Sequence, residues 1–237
     1  MANIFRVNPS KLKAWIVHFY TSLGLITGLM AMIAIVNQDA NLAFLWLGIA
    51  LVIDATDGTM ARKFNVSFWT PNFDGRKLDD ITDYLNYAFI PIFFVWRFEI
   101  VTGLWLIVLP LVLLSAVYGF CQTAAKTDDG YFTGFPNYWN LVVLYLFIFQ
   151  WPVFVNGIIF LILAILIFMP VKFVSYSTPG KKSITKGLSV IYLILLVLMF
   201  VLNSQLVGII SLIFPFLYFS YAIYLKVNQA ETPLLAE

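Results

Sequence analysis

Asp54, Asp57, Asp79 and Asp83 are the residues of this chain best equipped for chemistry. The first two stand three apart and the last two four apart, so on helices each pair projects from one face. Two neighbouring antiparallel helices carrying such pairs point four carboxylates into one pocket. Carboxylates that close repel strongly; a divalent cation removes the repulsion, and an all-oxygen donor set suits Mg²⁺ or Mn²⁺. Gly58 follows Asp57 directly and Gly75 lies one turn before Asp79, which leaves room for a bulky group beside the backbone. Arg62, one turn past Gly58, offers a cationic fork suited to phosphate. Metal-holding carboxylates, glycine clearance and an arginine together describe a pyrophosphate site.

The background makes this cluster conspicuous. Asp54, Asp57, Asp74, Asp79, Asp80 and Asp83 fall within 54–83, in a chain with only 12 acids that is 62% hydrophobic and 11% charged. Asp74 and Asp80 read as ordinary solvated residues at a helix end. Asp54 does not, because it follows Leu51-Val52-Ile53 a full turn into an apolar run, where a charge needs a use. A mean hydropathy of +0.91 excludes a soluble domain. A net charge of +2 gives no reason to expect nucleic acid, and one cysteine, Cys121, excludes a disulfide framework and a thiolate metal site.

The elements that must position the aspartates are therefore membrane helices, in one integral membrane domain over residues 1–237. The basic stretch 1–13 reads as an uncleaved entry segment, with a short interfacial helix. Apolar runs predict spans at Ala14–Asn37, Leu42–Met60, Leu78–Trp96, Thr102–Ala124, Leu188–Leu202 and Leu206–Leu225, with a polar tail over 226–237. Tyr138–Phe173, interrupted by Pro152, Asn156 and Gly157, reads as a hairpin of two further spans. With eight spans, every one of the 14 Lys and Arg except Arg97 lies on the side that holds both termini. The positive-inside rule makes that side cytoplasmic and sets the aspartates at the cytoplasmic ends of spans two and three. The fold class expected is an all-α polytopic bundle of about eight transmembrane helices.

The motif Asp54-Ala-Thr-Asp57-Gly58-Thr-Met-Ala61-Arg62, followed by Gly75-Arg-Lys-Leu-Asp79-Asp-Ile-Thr-Asp83, resembles the signature of the CDP-alcohol phosphotransferases. The twelve residues between Arg62 and Gly75 are more than is usual in that family. The segments VHFYTSLG, LDDITDYLNYAFIP and KTDDGYFTGFPNYWN resemble its bacterial phosphatidylcholine synthase branch, a likeness that extends to about Trp139. The resemblance implies transfer of the phosphatidyl group of CDP-diacylglycerol to choline, with release of CMP, in the bacterial inner membrane with the site on the cytoplasmic side. It implies Asp54, Asp57 and Asp79 as ligands of two Mn²⁺ or Mg²⁺ ions. Asp83 would touch one ion and act as the base. Gly58, Ala61, Arg62 and Gly75 would line the cytidine diphosphate site, Thr21 would contact the nucleotide, and a homodimer would be the assembly.

A quaternary ammonium has no N–H to donate and is held by aromatic faces. Tyr84, Tyr87, Tyr138 and Trp139 are the choline candidates, with Tyr131 and Phe135 nearby; Asp128 and Asp129 can supply a balancing anion. His18, the single histidine, is either a satisfied packing group or part of the substrate pocket. Serine, inositol or glycerol phosphate as acceptor would call for extra cations in the pocket, where this chain offers aromatics. An intramembrane prenyltransferase would carry Asn before the first Asp, where Ile53 stands. A cation transporter would place its carboxylates near midplane in duplicated halves.

Overall fold

The computed structural model describes residues 8–122, 131–169, 171–174 and 182–230. The chain divides into two compact units, Met1–Phe98 and Glu99–Glu237.

In the first unit, α1 (Pro9–Val36) starts at Asn8, whose side chain accepts from the Ser10 N–H at 2.9 Å while Pro9 presets φ for the first turn. Its inner face is built of small residues at helical spacing, including Ala14, Thr21, Gly24, Gly28 and Ala31, and its outer face of Phe19, Ile26 and Leu29. Small residues inward and large apolar ones outward suit a helix that packs closely in lipid. The spacing Gly24-x-x-x-Gly28 decides that packing. A Cβ on Gly28 would stand 2.9 Å from both Asn86 Oδ1 and Ile90 Cδ1, and one on Gly24 would overlap Thr82 Cγ2.

A tight turn leads to α2 (Ala40–Lys63), capped by Asp39, whose Oδ1 accepts from the Leu42 N–H at 2.9 Å. A one-turn helix, α3 (Val66–Trp69), seats Val66 on Ala14 and Val17 of α1. Asp74 then caps α4 (Gly75–Asp83), its Oδ1 accepting from the Lys77 N–H at 3.0 Å. The helix does not stop at Asp83. It continues through a π-helical turn, Tyr84–Phe89, into α5 (Ile90–Arg97), the junction residues all staying in the right-handed helical region. Pro91 sits in the first turn of α5 and has no N–H to give the α-register, and the turn before it is wound in the wider π-register.

The second unit starts with a 3₁₀ turn, Gly103–Ile107, leading into α6 (Val108–Cys121). Strands β1 (Tyr131–Thr133) and β2 (Lys172–Val174) pair antiparallel with Phe132 opposite Phe173. Between them lie α7 (Trp139–Phe149) and α8 (Val153–Ile167), the two helices expected in the stretch 138–173. Gln150 at φ 51° ends α7, and Pro152 opens α8. Asn156 fixes the start of α8 by donating to the Ile100 carbonyl at 2.9 Å and the Trp151 carbonyl at 3.1 Å. α9 (Lys182–Val201), α10 (Gln205–Ser211) and α11 (Ile213–Ala230) complete the order. The single run expected at Leu206–Leu225 is broken near Leu212, where Pro215 cannot donate to the Ser211 carbonyl.

Pro9–Val36, Ala40–Lys63, Gly103–Cys121 and Gln205–Tyr224 are long and apolar enough to cross a membrane; Trp139–Phe149, Val153–Ile167 and Gly187–Val201 are shorter apolar helices. The architecture is that of an all-α polytopic membrane protein, with one three-residue ribbon that the sequence pattern does not announce. Of the entry segment expected over 1–13, residues 9–13 belong to α1 and 1–7 lie outside the described residues; of the tail expected over 226–237, residues 226–230 continue α11 and 231–237 lie outside the described residues.

Candidate active site

Three helices of the first unit bring the acids together. Asp54 and Asp57 come from α2 and Asp79 from α4, and one carboxylate oxygen of each lies within 4.8 Å of the other two. Asp57 is only 5% exposed. α1 reaches the same point through Thr21, whose hydroxyl is hydrogen-bonded to the Asp57 carboxylate, as is the Gly58 N–H. Three carboxylates at this separation, with no cation hydrogen-bonded to them among the described residues, fit a hard divalent metal.

Asp83 stands apart. It is half-buried one turn beyond Asp79 and within electrostatic reach of Asp54, Asp57 and Asp79, but its oxygens are not in the group within 4.8 Å. Of the four carboxylates expected to meet the metal, three converge within 4.8 Å and the fourth stands beside them.

Tyr87 has a different place from the one its sequence position suggests. Its hydroxyl donates to Asp54 Oδ2 at 2.6 Å, and the residue is 7% exposed. It orients a carboxylate, which takes it out of the choline set. The π-turn brings this about, since it shifts Tyr87 relative to Asp79 and Asp83; the same turn sends Asn86 Nδ2 to the Gly24 carbonyl at 3.0 Å. Tyr87→Phe keeps the ring and deletes the hydroxyl, and is expected to weaken Mn²⁺ binding about 10–100-fold, read by electron paramagnetic resonance titration. Unchanged affinity would show that Asp54 holds its orientation without the tyrosine.

Of the glycines, Gly58 is open: an added Cβ would meet only Arg62 Nη1, at 3.4 Å. Gly75 is not, because its Cβ would lie 2.7 Å from His18 Cε1. The clearance at Gly75 is thus taken by a histidine. Thr70 donates its one hydroxyl proton to the Val66 carbonyl at 2.9 Å, so its oxygen accepts from His18 Nε2, also at 2.9 Å, which assigns the ring proton to that nitrogen. The ring packs 4.4 Å from Phe73 and 5.5 Å from Trp15. Of the two readings His18 allowed, the satisfied packing group is the one observed. Gly75→Ala is expected to cost about 1–3 kcal/mol through overpacking. A thermal melt should show the loss, and adding His18→Ala should restore part of it.

Ala61 packs with Met60, Phe64 and Trp69 against the Ala14, Val17 and Val66 cluster, a contact the motif does not reveal. Arg62 is exposed, with Nη2 donating to Thr59 Oγ1 at 3.2 Å. Tyr84 is half-buried next to Asp83. In the second unit Tyr138 is exposed, whereas Trp139 is fully buried between Phe135 and Phe160, its Nε1 donating to Asn137 Oδ1 at 3.2 Å. Packing leaves Trp139 no face for a cation, which corrects its assignment to choline. Phe135 is likewise buried, stacked on Phe219. Asp128 and Asp129 lie outside the described residues, as does the side chain of Tyr131.

Two residues that shape this site were missed in the sequence as structural partners: Asn86, and Gly28 opposite it. The Gly24-x-x-x-Gly28 spacing and the proline at 91 are the signals that could have found them.

Comparison with known proteins agrees with this geometry. The CDP-alcohol phosphatidyltransferase family matches residues 16–169, a stretch that contains all four aspartates. The chain is 42% identical over 186 residues to the phosphatidylcholine synthase of Borreliella burgdorferi, covering 78% of this chain and 80% of that one. It is 39% identical over 172 residues to the phosphatidylcholine synthase of Pseudomonas aeruginosa, covering 72% of each. With that of Legionella bozemanae it shares 41% over 152 residues, 62% of this chain and 69% of the other. Extent of match and identity together show that the chain belongs to the CDP-alcohol phosphatidyltransferase family.

Proposed function

We propose that this enzyme is a phosphatidylcholine synthase, which moves the phosphatidyl group of CDP-diacylglycerol to choline and releases CMP. Family membership makes it a divalent-metal-dependent transferase of phosphatidyl groups acting within a membrane. The observation that carries the finer reading is the 42% and 39% identity to two phosphatidylcholine synthases over most of the chain.

Asp54, Asp57 and Asp79 would hold the metal, Mn²⁺ or Mg²⁺ and two ions in the working site. When bound, the metal neutralises charge on the diphosphate as the bond to CMP breaks. The chain's own residues do the rest. Gly58 leaves the backbone of α2 open to the nucleotide diphosphate, and Arg62, exposed one turn on, swings its guanidinium to a phosphate oxygen. Thr21, bonded to Asp57, would contact the nucleotide beside that carboxylate. Gly75 and Ala61 shape the site from behind, through His18 and the Val66 cluster. Asp83 takes the proton of the choline hydroxyl as its oxygen attacks the phosphorus bearing the diacylglycerol, the pair in the P–O bond leaving with CMP. Tyr84, next to Asp83 in the chain, is the aromatic residue of this unit proposed to face the trimethylammonium. The positive-inside charge pattern supports a cytoplasmic-facing site in a bacterial inner membrane, where choline and CMP exchange with water while the acyl chains stay in the bilayer. The homodimer remains part of this proposal through family resemblance.

The test is purified protein with CDP-diacylglycerol, Mn²⁺ or Mg²⁺, and labelled choline, serine, inositol or glycerol 3-phosphate in turn. Labelled lipid is expected with choline. Product with serine and none with choline would overturn the acceptor while leaving the family intact.

A further inference from the structure

We propose that the connection between the two halves of the site is a membrane-interface wedge, whose Phe68 inserts into the headgroup boundary of an anionic leaflet beside the basic end of the helices. The connection spans 64–74 and is dense in aromatics: Phe64, Phe68, Trp69 and Phe73. It is held firmly from beneath. Val66 is buried on Ala14 and Val17, Thr70 is buried and bonded to His18, and Phe73 packs 5.1 Å from Trp15. Phe68 points the other way, 74% exposed, with its ring edge-on to Trp69 at 5.1 Å. A pinned loop has little freedom to turn that ring inward.

Depth follows from what the loop is pinned to. α1 has 28 residues, more than the about 20 that cross the hydrocarbon, so its first turn, with Lys11 and Lys13, stands among headgroups and the apolar stretch starts at Ala14. Ala14 to His18 is about 6 Å along the helix, and interfacial segments bury their apolar side about 5–10 Å below the headgroups. The loop therefore overlies the outermost part of the membrane-crossing stretch and does not stand off in water.

Charge identifies the occupant. Lys11, Lys13, Lys63, Arg76 and Lys77 are exposed around this loop, and Lys63 Nζ lies 5.7 Å from the Phe64 ring. Of the acids nearby, Asp74 is exposed and engaged as the cap of α4, and Asp80 is half-buried. An apolar ring within a basic rim is complementary to acyl chains beneath anionic headgroups. The wedge would serve any acceptor alcohol equally. Its effect is to keep the mouth between Arg62 and Gly75 at the depth where a lipid-borne diphosphate arrives.

The experiment attaches a nitroxide through Phe68→Cys, and separately through Asn72→Cys, in full-length protein carrying Cys121→Ser, in vesicles of phosphatidylethanolamine with phosphatidylglycerol. The label at 68 should relax faster with oxygen than with a water-soluble nickel chelate, and the label at 72 the reverse. With Lys63→Gln and Lys77→Gln, insertion at 68 should fall about fivefold per lysine in phosphatidylglycerol vesicles, and not at all in phosphatidylcholine vesicles. The proposal is overturned if 68 is as open to the chelate as 72, if the lysines make no difference, or if labels at 68 broaden one another, which would mean that a second copy covers the ring.

Discussion

Asp83→Asn is expected to slow phosphatidylcholine formation by about 10²–10⁴-fold, the range a positioned general base contributes, while Mn²⁺ and CDP-diacylglycerol still bind. The substitution keeps the shape of the side chain and removes its ability to take a proton. The hydroxyl of choline is almost fully protonated at neutral pH, so without a base the attacking oxygen must lose its proton to water. Binding should survive because the oxygens of Asp83 lie outside the 4.8 Å group formed by Asp54, Asp57 and Asp79. Removing one negative charge near that group also lowers the repulsion it must bear before a cation arrives. Two measurements decide the matter: single-turnover formation of labelled lipid, and Mn²⁺ affinity by paramagnetic resonance. If affinity collapses together with turnover, Asp83 is a ligand and the base must be sought elsewhere.

The division between Asp83 and the other three acids shows where sequence reasoning reaches and where it stops. Spacing alone predicts that Asp54 and Asp57 share a face and that Asp79 and Asp83 share another, because both pairs depend only on the period of a helix. Spacing cannot say which oxygens converge, since that depends on how α2 and α4 approach across α1. That approach is governed by Gly24 and Gly28, whose missing Cβ atoms admit Thr82, Asn86 and Ile90. Tyr87 was hidden for a related reason: in an unbroken α-register it shares the face of Asp83, and the π-turn moves it onto Asp54. Gly75 shows the limit in another form. Its place in the motif suggests clearance for a ligand, yet the atom filling the space is His18 Cε1, from a residue 57 positions earlier in the chain. The helical hairpin in 138–173 was legible because Lys and Arg on the following loop fit one side of the membrane only if the stretch turns back. The burial of Trp139 was not, because an aromatic residue near a membrane interface has the same sequence signature whether it packs inward or faces a ligand.

Asp57→Asn is expected to abolish measurable activity and to remove most of the stabilisation that metal gives. Asp57 is the most enclosed of the three clustered acids, and it alone is hydrogen-bonded to α1, through Thr21, so it ties the site to a third helix as well as supplying an oxygen. Asparagine retains an oxygen and the shape but not the charge. The loss of several kcal/mol of transition-state charge stabilisation at a metal corresponds to about 10³-fold or more in rate. Stability gives an independent readout. In the native protein without metal, carboxylates confined within 4.8 Å repel one another, and a cation at 100 times its Kd adds about 2.7 kcal/mol. In the variant the repulsion is smaller and the cation binds weakly. Melting without metal should therefore occur at a higher temperature than for the native chain, and added Mn²⁺ should raise it little. A variant that melts lower without metal, yet gains as much from Mn²⁺ as the native chain, would mean that Asp57 serves to join α1 to α2 and that the cation rests on Asp54 and Asp79 alone.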